Sequence, residues 1–530
     1  MAVKLAGSEI ANHKTADSCW IVIENKVYDV TGFLNRHPGG RGILLKQGGT
    51  DATNEFNKVH PISLISDLPP GSYLGDLDPA TATALRVSKP RGARALSSPP
   101  TTAATDSTDS NDKAATETTT TPTPTNEVIP LSLCMRAADF RAEAQKVVDA
   151  RSWFYAMSSA NGGHSLRANL ASWDKVTFRP RVLRDVRSVS THTSILGQPA
   201  AMPFFVSPMG TMGLFHPAGE LELVHGLVRK GLHAVISTVS SKGAEAIMQG
   251  HAQELAKAQG EHANPSSLFF QLYLPPDKQK GVELVRQVKQ AGYKGLFVTV
   301  DTNFLGKRTE DRRNLAREAL EEEAQDDGDS NANSSGGAAG HPHAAYMPGV
   351  AGQAVRNDIA PTVRWEDLAW IRREWPGPMV LKGIQTAEDA RLAVEHNCQG
   401  IVLSNHGGRQ QPSAPSALAT LLEIRAYAPD VLGKLEVYLD GGCRDGADIL
   451  KALALGATAV GIGRPFLYAL AAYGSDGVQK LIDILSEELT LGMALLGVTS
   501  LDQLRPDMVN ARVLQNEMWV PELPSILSRL

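Results

Sequence analysis

Along most of the chain, short runs of apolar residues alternate with longer stretches in which apolar positions recur every three or four residues. The runs span 204–207, 234–237, 269–273, 295–301, 379–382, 400–404, 436–440 and 459–463. Between them lie segments such as GELELVHGLVRKG, DKQKGVELVRQVKQAG, TAEDARLAVEHN and RDGADILKALALG, whose spacing predicts amphipathic helices. The runs are apolar at nearly every position rather than at every second one. They therefore predict strands buried on both faces, and eight strand-plus-helix units in series predict a parallel (β/α)₈ TIM barrel.

Two polar stretches interrupt this pattern. From about residue 79 to 127 the chain is rich in Thr, Ser, Ala and Pro and poor in large apolar side chains. Such a stretch buries too little surface to offset its ordering entropy, so it reads as a flexible tether. It divides the protein into a small unit over 5–78 and a large one over 130–530. At about 50 residues, a tether of this composition spans roughly 35 to 40 Å. The second stretch, about 311–358, contains EEEAQDDGDSNANSSGGAAG and reads as a disordered excursion from a barrel loop.

Polar and unusual residues collect just after the apolar runs: Pro208, Met209 and Gly210; Gln271 and Tyr273; Thr299 and Asp301; Lys382; His406 and Arg409; Asp440, Gly441 and Gly442; Gly463 and Arg464. The C-terminal strand ends of such a barrel form its active-site face, so this placement predicts function rather than packing.

Composition narrows the choice. With 52 basic and 57 acidic residues and 42% hydrophobic content, the sequence is that of a globular protein and predicts no nucleic-acid partner. Its four cysteines, Cys19, Cys134, Cys398 and Cys443, have no paired spacing, so neither a disulfide framework nor a zinc cluster is expected. No run reaches the roughly 18 apolar residues a membrane helix needs. The N-terminus MAVKLAGSEI has neither a signal-peptide core nor an Arg-rich presequence. The expectation is a cytoplasmic protein; the mitochondrial intermembrane space is the alternative, without an evident presequence to support it.

In the small unit, His37 is followed by Pro38, Gly39 and Gly40, which predict a turn that admits a planar ligand closely. A short helical stretch leads to His60, and two imidazoles so placed can bind one iron from opposite faces. The segments SCWIVIENKVYDVTGFLNRHPGG and FNKVHP resemble the cytochrome b5 family. The resemblance implies a small α+β domain with haem b, whose iron is held by His37 and His60. With no open iron position, the domain would carry single electrons.

The large unit carries LSNHGGRQ at 403–410, with FFQLY, FVTVD, LGKR, VLKG, YLDGGCRDGAD and GIGRPFLY in order along the chain. These motifs resemble the FMN-dependent 2-hydroxy acid oxidase and dehydrogenase family. A b5-like unit joined to this barrel is the layout of the flavocytochrome b2 type, the cytochrome type of L-lactate dehydrogenase. Oxidising a 2-hydroxy acid requires a grip on its carboxylate, a base and a two-electron acceptor. Arg409 supplies a bidentate fork, and Tyr155 in SWFY and Arg308 in LGKR would assist it. His406 would be the base, Asp301 would stabilise its protonated form, and Tyr273 would bond the substrate hydroxyl. Which proton this base takes, from carbon or from oxygen, is open. Lys382 would set a positive charge by the flavin ring.

The resemblance also implies that Pro208, Met209, Gly210, Ser237, Ser240, Gln271 and Thr299 contact the flavin. Asp440, Gly441, Gly442, Arg444, Gly463 and Arg464 would complete its site, the phosphate lying on the last two barrel loops. It further implies an electron acceptor such as cytochrome c and a homotetramer. An oxidase that uses oxygen directly is the rival reading.

The sequence departs from the family in places. Ala156 follows Tyr155 where a second tyrosine is usual, Gly162 and Gly163 replace acidic residues, and Asn303 replaces a common proline. Gly210 and Val239 stand where relatives acting on small acids carry alanine and leucine. Both changes remove methyl groups, so a pocket for bulkier acids such as mandelate is expected; the alternative is that they are neutral packing changes in a plain lactate dehydrogenase.

Overall fold

The computed structural model describes residues 3–37, 41–87, 127–258, 266–326 and 359–521. The expected Pro38–Gly40 turn and most of the tether lie outside them, as does the second polar stretch from 327 to 358.

In the N-terminal unit, Ser18–Ile23 and Lys26–Asp29 pair antiparallel, and the sheet runs on through Tyr73–Leu77 and Lys4–Leu5 on one side and Thr50–Asp51 and Arg86–Val87 on the other. Alternation along Ser18–Ile23 splits its side chains between two cores. Cys19, Ile21 and Ile23 pack with Leu34 and Leu44 beneath Phe33 and Phe56, while Val22 joins Ile10, Val27, Leu77 and Leu85. Leu85 extends this fold beyond the expected boundary at 78. Its burial, the Asp78 cap on Ala80 N and the Thr81 hydroxyl on Gly7 N order the start of the stretch read as tether.

The large unit is a closed barrel of eight parallel strands, numbered here within the barrel. They are β1 (Phe204–Val206), β2 (His233–Ser237), β3 (Leu268–Leu272), β4 (Leu296–Thr299), β5 (Met379–Ile384), β6 (Gly400–Leu403), β7 (Glu436–Asp440) and β8 (Ala459–Ile462). The first helix, α1, spans Glu220–Lys230 and ends at Gly231, whose left-handed φ of 65° suits a C-terminal cap. The strands are largely apolar because alternate residues serve two cores, the polar exceptions lying mostly toward their C-terminal ends. Phe205, Val235, Phe269, Phe297, Val380, Val402 and Tyr438 fill the barrel interior, and their neighbours face the helices. The antiparallel hairpin Thr193–Ile195 and Gln198–Ala200 contributes Ile195, Leu196 and Ala200 to that interior core.

The second polar stretch departs from its expected reading. Thr309–Asp326 is helical and buries Asp311, Asn314 and Leu315. Its Ala, Leu, Glu and Arg residues are good helix formers, and propensity prevails over low hydrophobicity here.

Candidate functional site

At the C-terminal ends of the strands lies a half-open cleft whose empty space, counted out to solvent, is roughly 640 Å³. It is lined by residues after β1 (Ser207, Pro208, Met209), on and after β3 (Gln271, Tyr273), and at the ends of β4 (Thr299) and β5 (Lys382). Residues after β6 (His406, Gly407, Arg409), β7 (Asp440 to Arg444) and β8 (Gly463, Arg464) complete it.

The loop after β6 is sharply bent. His406 has φ 61°, a left-handed value few non-glycine residues adopt, and Gly407 and Gly408 continue the turn. Its backbone N–H donates to Ser404 Oγ at 3.0 Å. Asn405 exchanges amide hydrogen bonds of 2.7 and 2.8 Å with Asn169, on the helix His164–Asp174. Gln410 donates to the carbonyls of Asp301 and Phe304 and accepts from Gly306 N, tying this loop to the one after β4. Ser404, Asn405, Asn169 and Gln410 were missed by sequence reasoning. Gln410 and Asn405 flank the histidine within the same motif, but Asn169 has no local signal.

His406 Nδ1 lies 3.0 Å from Asp301 Oδ1, and Thr302 donates to the same oxygen at 2.8 Å. The carboxylate fixes the proton on Nδ1, so Nε2 keeps its lone pair and points to the Tyr273 hydroxyl at 3.5 Å. Burial pushes the imidazole below its ordinary value and outweighs Asp301, with Lys382 and Arg308 acting in the same direction. Burial alone would raise Asp301, but His406 and Lys382 hold its carboxyl below the usual range. The resting pair is therefore a neutral imidazole beside a carboxylate. Burial and the nearby Asp301 push Tyr273 well up, so its phenol stays protonated.

Lys382 Nζ is 3.0 Å from Asp440 Oδ2 and donates to Ser404 Oγ at 3.1 Å. Across β2, β3 and β4 the polar side chains form a row: Ser237 Oγ donates to Gln271 Oε1 at 3.0 Å, and Gln271 Nε2 donates to Thr299 Oγ1 at 2.9 Å.

Charge in the cavity is unbalanced. Lys382, Arg409, Arg444 and Arg464 line it against the single carboxylate of Asp440. Burial first, then neighbouring Arg409, pushes Arg464 down to about 9, and burial with Arg308 lowers Arg409. The Nε atoms of Arg308 and Arg409, Ser207 Oγ and Asp301 Oδ2 are buried without hydrogen-bond partners among the described residues. Cations crowded in a low-dielectric cavity call for anions, and a substrate carboxylate and a flavin phosphate both fit.

Some expected residues stand outside the lining. Tyr155 and Arg308 are close enough to Tyr273 to influence its charge, yet neither lines the cavity, and Gly210, Ser237, Ser240 and Asp301 also stand outside the lining. Ser240 Oγ instead donates to Lys242 O at 2.7 Å.

In the N-terminal unit the rings of His37 and His60 lie 6.3 Å apart between centroids, at 82° to each other. Two metal–imidazole bonds of about 2 Å, with roughly 1 Å from each nitrogen to its ring centre, require about this separation. Each follows a helical segment, Thr31–Arg36 and Thr53–Val59, and packs against an aromatic ring of it, Phe33 or Phe56.

Comparison with known proteins assigns a family to each of the two units. Residues 7–78 match the family described as cytochrome b5-like heme/steroid binding domain, and 144–511 match FMN-dependent dehydrogenase. The chain is 32% identical to an L-lactate dehydrogenase (cytochrome) of Wickerhamomyces anomalus, over 97% of this chain and 81% of that protein. The solved flavin-binding domain of baker's yeast flavocytochrome b2 is 32% identical at a TM-score of 0.62, covering 76% of this chain and 93% of that one. A mandelate oxidase structure is 34% identical at a TM-score of 0.58, covering 71% and 98%.

Proposed function

The chain belongs to the FMN-dependent dehydrogenase family, with a cytochrome b5-like domain at its N-terminal end, and from that premise we propose the reaction and roles that follow. It oxidises an L-2-hydroxy acid to the 2-keto acid by FMN and relays the electrons through a b-type haem on the same chain. The observation that carries this reading is His406 held 3.0 Å from Asp301, three residues before a buried Arg409 in a cavity with excess positive charge.

Arg409 clamps the substrate carboxylate, with Tyr155 and Arg308 beside it. The bidentate fork fixes the pose of the α-carbon and its hydroxyl. His406 Nε2 accepts the proton, and Asp301 stabilises the resulting imidazolium by charge and by the Nδ1 hydrogen bond. Tyr273 remains protonated and donates to the substrate oxygen. A base of this kind contributes roughly 10² to 10⁴ in rate.

FMN supplies a two-electron acceptor and haem b a one-electron carrier when each is bound. Ser237, Gln271 and Thr299 present a polar row to the ring edge, and Lys382 offers positive charge where the ring gains electrons, its own charge tempered by Asp440. Gly441, Gly442 and Gly463, with Arg444 and Arg464, hold the phosphate. His37 and His60 hold the iron.

The acceptor on this reading is cytochrome c, the assembly a homotetramer, and the compartment the cytoplasm, where the four buried free cysteines would stay reduced. No described helix is long and apolar enough to cross a membrane. Reduction of added cytochrome c by substrate tests the relay. Electron delivery to oxygen instead, with the haem left oxidised, would favour the oxidase reading.

A further inference from the structure

The helix Thr53–Val59 leads directly into His60, and its Lys58 carbonyl reaches the barrel. Ser241 Oγ donates to Lys58 O at 3.1 Å and accepts from Gly213 N at 2.7 Å. Gly213 leaves no room for anything larger than hydrogen. A Cβ there would stand 2.5 Å from Lys58 O and 2.9 Å from Lys58 Cα. The peptide two residues before one histidine thus rests on a glycine and a serine from the loops after β1 and β2. Those loops run on from Ser207, which lines the cavity, and from Ser237, the last residue of β2 and a presumed flavin contact.

The two loops are built around a buried acid. Glu220, the first residue of α1, accepts from Met212 N at 3.2 Å, Ser241 N at 2.9 Å and Lys242 N at 3.2 Å. No cation neutralises it in this set of bonds. The fixed backbone donors take that part and tie the two loops together, while burial pushes the Glu220 carboxyl above the usual range. Thr211 between them holds a left-handed φ of 52°, unusual for a β-branched residue, and its N–H bonds Val239 O at 2.9 Å. Strain of this kind persists only where surrounding contacts impose it.

We propose that the clasp of Ser241 and Gly213 on Lys58 is the docking point that sets the distance between flavin and haem, and that Glu220 is the residue that builds it. This rests on the relay reading above. Oxidising the hydroxy acid to the keto acid releases two electrons and two protons. With FMN and haem bound, the electrons would cross near this contact one at a time, each reducing one ferric haem, and a one-electron acceptor outside the chain would take each in turn. Tunnelling falls steeply with distance, so displacing Lys58 slows this crossing without touching the base or the arginine.

The test uses the holoenzyme under anaerobic stopped flow, with Ser241→Ala and Gly213→Ala, following flavin and haem absorbance separately, and hydrogen exchange of residues 53–60 and 211–213. Losing the hydroxyl in Ser241→Ala is expected to slow haem reduction about fivefold, and the added methyl of Gly213→Ala at least about tenfold, with flavin reduction within about twofold of the parent. Exchange of both segments should rise. Unchanged haem reduction in both variants, or equal slowing of both steps in Ser241→Ala, overturns the docking role. A parent enzyme whose flavin is reduced but whose haem never is would instead refute the relay itself.

Discussion

Val239 Cγ2 lies 2.5 Å from where a Cβ on Gly210 would stand, and Val239 O lies 3.0 Å from it. The methyl group absent at 210 is therefore replaced by one from 239, so the two departures from the family pattern do not simply add to a larger pocket. Glycine at 210 is what admits valine at 239. Bulkier L-2-hydroxy acids are still expected to be turned over at least as well as lactate, and Val239→Ala should raise the kcat/KM ratio of L-mandelate to L-lactate by about tenfold. Gly210→Ala should impair both substrates. A lead for lactate of more than about tenfold in the parent, roughly 1.4 kcal/mol, would refute the enlarged pocket.

Burial lowers the imidazole of His406, so the acid limb of its activity should lie below the ordinary histidine value near 6.5. The sign follows from the role: a base works only when unprotonated, so kcat/KM falls as pH drops through that lowered pKa and is flat above it until another group titrates. Removing the Asp301 charge with Asp301→Asn should move the limb lower still while cutting the rate, because the imidazolium loses its partner. A limb at or above 6.5 in the parent would speak against a buried neutral base.

His406→Gln should abolish substrate-driven flavin reduction by a factor of about 10² to 10⁴ while both cofactors remain bound. Near-normal reduction in that variant would remove the histidine from the chemistry.

Arg409→Lys should raise KM and lower kcat together, since a point charge cannot reproduce a bidentate fork and the added space leaves the carboxylate loose. Substrate titration with stopped-flow reduction separates the two effects. Unchanged binding and rate would place the carboxylate elsewhere.

Replacing His37 or His60 with alanine should erase the haem spectrum and leave flavin reduction intact, because the barrel and the N-terminal unit have separate cores. Haem retained in both variants would dissolve the 6.3 Å pair as a ligand set.

Where the chain is buried on both sides, the sequence is easy to read: β1 and β6 stand out as unbroken apolar runs, and the polar side chains of the site follow their ends. His406 and Arg409 were legible because three residues of one motif bring them to one cavity. The supporting amides were not. Asn169 and Asn405 meet only through the fold, and Glu220 resembles any acid in the first turn of a helix until its three backbone donors are seen. Polarity alone misled twice: Leu85 anchors what reads as tether, and Thr309–Asp326 is helical despite its charge.

The most direct test mixes the holoenzyme without oxygen with L-lactate, L-mandelate and their D-isomers while flavin and haem are followed at separate wavelengths. The L-acids should bleach the flavin first, and the ferrous haem bands should then rise at a rate no faster than flavin loss, with the D-acids inert. Flavin bleached by an L-acid while the haem stays ferric, or no bleaching by any acid, would contradict a hydroxy acid dehydrogenase that relays through its own haem.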